Sequence, residues 1–167
     1  MKLYHGSCEI VKRPLVSMGR KNLDFGQGFY MTSVRKQAEN WAKIIATRKG
    51  PHSRAILNIY NFEEEKNTNF NRLFFPEYNQ DWLDFIVSSR KGNSPWKNFD
   101  IVEGGVANDR VIDTVEDYIA GIITVEQALG QLKYKEINHQ ICILNQAILD
   151  KCLSFEKYEI INDEAKS

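Results

Sequence analysis

Gly26 and Gly28 stand one residue apart in the stretch Leu23-Asp-Phe-Gly-Gln-Gly-Phe-Tyr-Met-Thr-Ser33. Neither carries a Cβ, so the backbone there can turn tightly or lie close to a bound group. Phe29, Tyr30, Met31 and Thr32 follow as a short β-prone run that sets two aromatic rings beside the open backbone. Ser33 is placed to cap a helix running on through Trp41. Turn, strand and helix start within a dozen residues would form a ligand cradle. A glycine-bearing bend whose aromatics fill the core accounts for the same residues.

Other reactive side chains are scattered. Cys8, Cys142 and Cys152 are odd in number and lack metal-ligand spacing, which argues against a disulfide framework and suits a reducing cytoplasm. Cys142 lies in an apolar run, the setting of a small buried hydrophobe. His5, His52 and His139 have no second ligand close in sequence, so no metal site is expected. Asp24 and Arg20 could shape the glycine loop or meet a phosphate.

The elements that must position these groups follow from periodicity. The chain has 167 residues, one domain's worth, with 22 basic and 22 acidic residues and a formal charge of zero. That balance gives no general electrostatic attraction to nucleic acid or anionic membranes. No apolar stretch has the length of a membrane span, and the first residues read as folded protein rather than a signal. Strands are expected at Lys2 to His5, Phe29 to Thr32, Ala55 to Phe62, Phe99 to Val102, Asn138 to Leu144 and Tyr158 to Ile161. Ile10 to Val16 reads as a loop with a possible edge strand. Val34, Ala38, Trp41, Ala42 and Ile45 form the buried stripe of a helix stopped at Gly50-Pro51. Further helices are expected at Trp82 to Ser89, Val111 to Ile119 with Gly121 just past its end, Val125 to Leu132 behind a Thr124/Gln127 capping box, and Gln146 to Cys152. The alternation gives a single α/β or α+β domain, taken as α+β, over residues 1–162, with 163–167 a frayed tail.

Leu3-Tyr-His-Gly-Ser7, the Leu23 to Thr32 stretch, Asp100-Ile-Val102, Val106-Ala-Asn-Asp109 and Asn138-His-Gln140, in this order, resemble a bacterial family of domains of unknown function. That family is similar to the ADP-ribosyltransferase superfamily in its His-Tyr-Glu branch. The resemblance runs from Lys2 to Ile161 and implies two small, mostly antiparallel sheets splayed like jaws, with NAD between them as co-substrate. It also implies a catalytic trio. His5 would meet a ribose hydroxyl, Tyr30 would stack on nicotinamide, and Gln140 stands where a glutamate is expected. Gly6 would hold the nicotinamide amide through its backbone. Ser7, Gly28, Phe29, Thr32, Asn108 and Asp109 would complete the cofactor site, with Thr32 or Ser33 helping to hold the cradle.

Gln140 matters because cleavage of the nicotinamide–ribose bond builds positive charge on the ribose, as in glycoside hydrolysis. A carboxamide keeps a hydrogen-bonding oxygen but lacks the full charge and cannot serve as a base. Glu136 or Asp109 could supply the missing charge. The implied activity is NAD-dependent mono-ADP-ribosyl transfer by a toxin-like cytoplasmic effector to a protein or nucleic-acid acceptor, with a small neutralising partner. NAD glycohydrolysis, or a degenerate module binding NAD or a partner, are the alternatives.

Overall fold

A computed structural model describes residues 1–67, 69–108 and 111–162. Seven strands and five helices alternate through the described residues: β1 (Lys2–Ser7), β2 (Phe29–Met31), α1 (Arg35–Lys49), β3 (Ala55–Phe62), β4 (Arg72–Phe74), α2 (Gln80–Arg90), β5 (Ile101–Gly104), α3 (Ile112–Ile119), α4 (Val125–Leu132), β6 (Gln140–Ile143), α5 (Gln146–Cys152) and β7 (Leu153–Ile161). The class is α+β, as the sequence implies. The expected tail at 163–167 lies outside the described residues.

The strands form two sheets. One has the order β1-β3-β7 and is antiparallel throughout; the other has the order β2-β6-β5-β4. The sheets are thus mostly antiparallel, as expected; the second departs from this only at one edge, where β4 runs parallel to β5. Helix α2 lies between these strands in sequence and supplies the crossover that a parallel pair needs.

The register sorts side chains between two cores. Phe29, Met31, Ile101, Ile141 and Ile143 share one face of the four-stranded sheet and pack with Leu3, Tyr60 and Phe62 from the other sheet and Ile148 and Leu149 from α5. On the opposite face, Val102 and Cys142 join Phe25, Trp82, Leu83, Ile86, Val115 and Leu132. Cys142 is the buried hydrophobe that its sequence context implies.

Helix α1 covers the outer face of the three-stranded sheet with a different stripe from the one expected. Its buried residues are Ala38, Ala42 and Ala46, whereas Val34 and Trp41 are exposed. The cause is close packing on β1: a methyl group at Gly6 would collide with the Ala38 carbonyl and come within 2.8 Å of the Ala42 nitrogen. Only alanine fits a helix set so near a strand. Ser33 is not the cap either. Val34 holds that position, and the Thr32 hydroxyl accepts its N–H at 3.0 Å. Ile10 to Val16 forms no strand, because Asn58 and Tyr60 fasten it as a loop: Val11 donates to Asn58 Oδ1 at 2.9 Å, and the Tyr60 hydroxyl donates to the Val11 carbonyl at 2.6 Å.

Candidate functional site

The two sheets meet edge to edge at a single bridge. Tyr4 N–H donates to the Thr32 carbonyl at 2.8 Å, and Thr32 N–H returns to the Tyr4 carbonyl at 2.9 Å. Past this bridge β1 and β2 part. Backbone groups on a strand alternate in direction, so Gly6, two residues beyond Tyr4, turns its N–H and C=O into the fork while His5 and Ser7 turn theirs to β3. Gly6 thus offers a donor and an acceptor side by side. Neither has a partner outside the strands among the described residues.

His5 fills the start of the fork. Its Nδ1 lies 2.8 Å from the Tyr30 carbonyl, and its ring lies 4.5 Å from that of Phe29. A carbonyl can only accept, so Nδ1 carries the proton. Burial lowers the imidazole pKa below its ordinary value of 6.5, against the opposing pull of the Tyr30 hydrogen bond. The neutral ring therefore keeps Nε2 as a bare acceptor, with no hydrogen-bond partner among the described residues.

Tyr30 braces the glycine loop. Its hydroxyl donates to the Gly26 carbonyl at 2.7 Å and accepts the Phe25 N–H at 3.1 Å, and its half-buried ring lies parallel to that of Phe25. Burial pushes the phenol pKa well above its usual range. The two glycines are accounted for by packing. Gly26 has φ +96° with the Trp96 ring against it, and a side chain at Gly28 would reach Cys142 Sγ at 2.5 Å.

Gln140 begins β6 opposite Gly104, on the same sheet face as Tyr30, which faces Cys142. Its half-buried carboxamide makes no hydrogen bond among the described residues. His5, by contrast, leans toward Phe29, whose side chain lies on the other face of that sheet. The trio therefore gathers at the β2 edge, with His5 and the other two on different sides of it.

The remaining candidates divide. Thr32 is buried beside the bridge, and Ser7 accepts the Glu9 N–H within a turn at 3.2 Å. The Asn108 carbonyl receives Val111 and Ile112 N–H groups at the start of α3, as a helix-leading turn would. Its loop is fastened to the glycine stretch by Asp24, which accepts from Ala107 N–H at 2.6 Å and pairs with Arg90 at 2.7 Å. Asn138 holds the same loop through both the N–H and the C=O of Val106. Asp109 lies outside the described residues. Glu136 is exposed on the segment before β6.

A second polar group has no counterpart in the sequence reading. His139 Nε2 lies 2.9 Å from Glu103 Oε1, while Glu103 Oε2 is held by Arg72 at 2.6 Å. The His139 hydrogen bond, aided by Arg72, lowers the Glu103 pKa against the opposing cost of burial. His139 Nδ1 lies 3.3 Å from Ser33 N, Ser33 Oγ and Thr32 Oγ1. Ser33, Arg72, Glu103 and His139 border a cavity of about 340 Å³. The signal was present in part: His139 sits next to Gln140, but its carboxylate partner appears only once β5 and β6 are set in register.

Residues 1–155 match the model of a family described as a protein of unknown function (DUF3990). The chain belongs to the DUF3990 family. No curated protein and no solved structure matched it.

In this DUF3990 member the fork presents the Gly6 N–H and C=O beside the His5 Nε2 acceptor. Gly6 can pair with an amide in donor and acceptor directions together, and neutral His5 can accept from a hydroxyl. No described helix is long and apolar enough to cross a membrane.

Proposed function

We propose that this DUF3990 chain binds NAD in the fork between its sheets, cleaves the nicotinamide–ribose bond and transfers ADP-ribose to a protein or nucleic-acid acceptor. The observation that carries this reading is the side-by-side presentation of the Gly6 backbone pair and the His5 Nε2 acceptor where β1 leaves β2. Nicotinamide has a carboxamide that matches the first, and the adjoining ribose has hydroxyls that match the second. Tyr30 and Gln140 stand on the other side of the β2 edge from His5, so a nicotinamide riboside held by Gly6 and His5 must cross that edge, with its ring against Tyr30 and a ribose hydroxyl donating to Gln140 Oε1. The biological setting is that of a toxin-like effector in the cytoplasm, restrained by a small neutralising protein.

The uncharged Gln140 favours a second reading, in which the chain hydrolyses NAD slowly or only binds it or a partner. A carboxylate in that place would stabilise the oxocarbenium-like ribose electrostatically, and loss of one such preorganised group costs about 10²–10³ in rate. Calorimetry with NAD, followed by chromatography of the same sample for nicotinamide and by labelled NAD in a lysate, separates the cases. Binding with nicotinamide release and a labelled macromolecule supports transfer. Release without label means hydrolysis, and binding without release means a binding module. Absence of NAD binding at millimolar concentration ends the proposal.

A further inference from the structure

We infer that Ser33, His139 and Glu103 form a nucleophile–base–orienter triad, giving the chain a serine hydrolase activity toward short-chain carboxylic esters. The triad does not rest on the NAD reading, although Ser33 follows Thr32 of the bridge and His139 precedes Gln140. Each member comes from a different element: Ser33 from the turn between β2 and α1, His139 from the residue before β6, and Glu103 from β5. Glu103 is fixed first. Arg72 engages Oε2 through Nη2 at 2.6 Å and Nε at 3.1 Å, leaving Oε1 for His139 Nε2 at 2.9 Å. An ionised carboxylate can only accept, so the Nε2 proton is donated to it and Nδ1 is the unprotonated nitrogen, which accepts the Ser33 N–H at 3.3 Å.

Nδ1 faces the exposed Ser33 hydroxyl at 3.3 Å, a separation of the kind seen in resting nucleophile–base pairs that tighten on binding substrate. Ser33 N–H and the Thr32 hydroxyl lie at the same distance from Nδ1. Of the two hydroxyls only Ser33 is exposed; Thr32 is buried, and although it accepts from Val34 and keeps its own proton for Nδ1, it is out of reach of an ester entering from solvent. The backbone also orients the base: Gln37 accepts the His139 N–H at 3.0 Å and donates to its carbonyl at 2.5 Å. Ser33, His139, Glu103 and Arg72 all line the cavity of about 340 Å³, with Phe62 and Ile141 as its apolar wall and the acidic Glu64 and Glu65 also on its lining. That space suits an acyl group of a few carbons.

The chemistry balances within the chain and one water. Ser33 Oγ attacks the ester carbonyl as its proton passes to His139 Nδ1. The C–O bond breaks, and the alcohol leaves with that proton. Water then gives a proton to Nδ1 and adds to the acyl carbon, releasing the acid and restoring Ser33. Glu103 stays ionised and is a positioning residue throughout.

The test uses the full chain with a fluorophosphonate probe and with p-nitrophenyl butyrate. Peptide mapping should place a single phosphonyl adduct on Ser33. Ser33→Ala should remove both adduct and turnover, and Ser17→Ala should leave both unchanged. His139→Gln should slow phosphonylation about 10²-fold, the usual contribution of a positioned base. Glu103→Gln should lower kcat at least tenfold with KM little altered when rates are referred to active sites counted with the fluorophosphonate probe, since a smaller folded fraction alone would lower apparent kcat in the same way. Ser33 is exposed, so its alanine variant should keep the melting temperature of the parent. An adduct elsewhere, no adduct at all, or butyrate turnover that persists in Ser33→Ala would each overturn the inference.

Discussion

The imidazole of His5 donates to the main-chain oxygen of Tyr30 across 2.8 Å, at the point where two sheets cease to be neighbours. That one contact sets the tautomer of the ring, and the tautomer sets which nitrogen can receive a ligand proton.

NAD affinity should accordingly be level above pH 6.5 and weaken as the pH falls, because protonation of His5 converts Nε2 from acceptor to donor. The lowered pKa places this loss below the ordinary histidine value of 6.5. Calorimetry between pH 5 and 8 checks the sign; tighter binding in acid would exclude His5 as the hydroxyl acceptor. His5→Ala should bind NAD at least tenfold more weakly at neutral pH.

Gln140→Glu should raise the rate of nicotinamide release by about 10–10³-fold, since it places a full charge where a carboxamide now stands. Chromatography of timed NAD digests measures the gain. An unchanged or lower rate would separate Gln140 from the reacting ribose.

Gly6→Ala should destabilise the fold by about 1–3 kcal/mol through overpacking against the α1 backbone. For a domain of this size that lowers the melting temperature by about 2–4 °C per kcal/mol. A neutral result would mean that the helix sits farther from β1 than described.

Sequence reading succeeded wherever the signal was local. The ends of β3 and α5, the Thr124/Gln127 capping box and Gly121 at φ +75° follow from residues within a few positions of one another. It failed where distant chain decided. Val34 and Trp41 are apolar and correctly spaced, yet the alanines won the buried face because Gly6, about 30 residues earlier, admits nothing larger. β4 is three residues long and pairs in parallel with a strand about 30 residues on, so no period marks it. His5, Gly6 and Tyr30 were singled out only through resemblance, and the parting of β1 from β2 beside His5 and Gly6 is visible only once the sheets are in place. The Glu103–His139 pair was not legible, since neither residue type nor spacing announces a cross-strand register.

Asp24→Ala should leave Arg90 and the Ala107 N–H without their shared acceptor. Breaking a buried pair costs about 3–5 kcal/mol, and the partial exposure of Arg90 puts this case toward the lower end. Urea unfolding gives the magnitude, and limited proteolysis should show faster cleavage near Gly26.

Stability should also fall in acid in two stages. Both His5 and Glu103 have folded pKa values below their ordinary 6.5 and 4.5, so each contribution is complete above that value and is lost as the pH falls through the folded one. Urea midpoints from pH 7 to 3.5 should trace both stages, and Glu103→Gln should flatten only the lower one.

The phenol of Tyr30 is gripped at its far end by two amide groups of the segment that leads into its own strand. Turning that ring means unthreading the segment, so orientation of the aromatic surface and shape of the preceding bend are a single mechanical variable. Changes to Phe25 or Gly26 should be read out as altered selectivity toward flat aromatic ligands, even though neither residue need touch one.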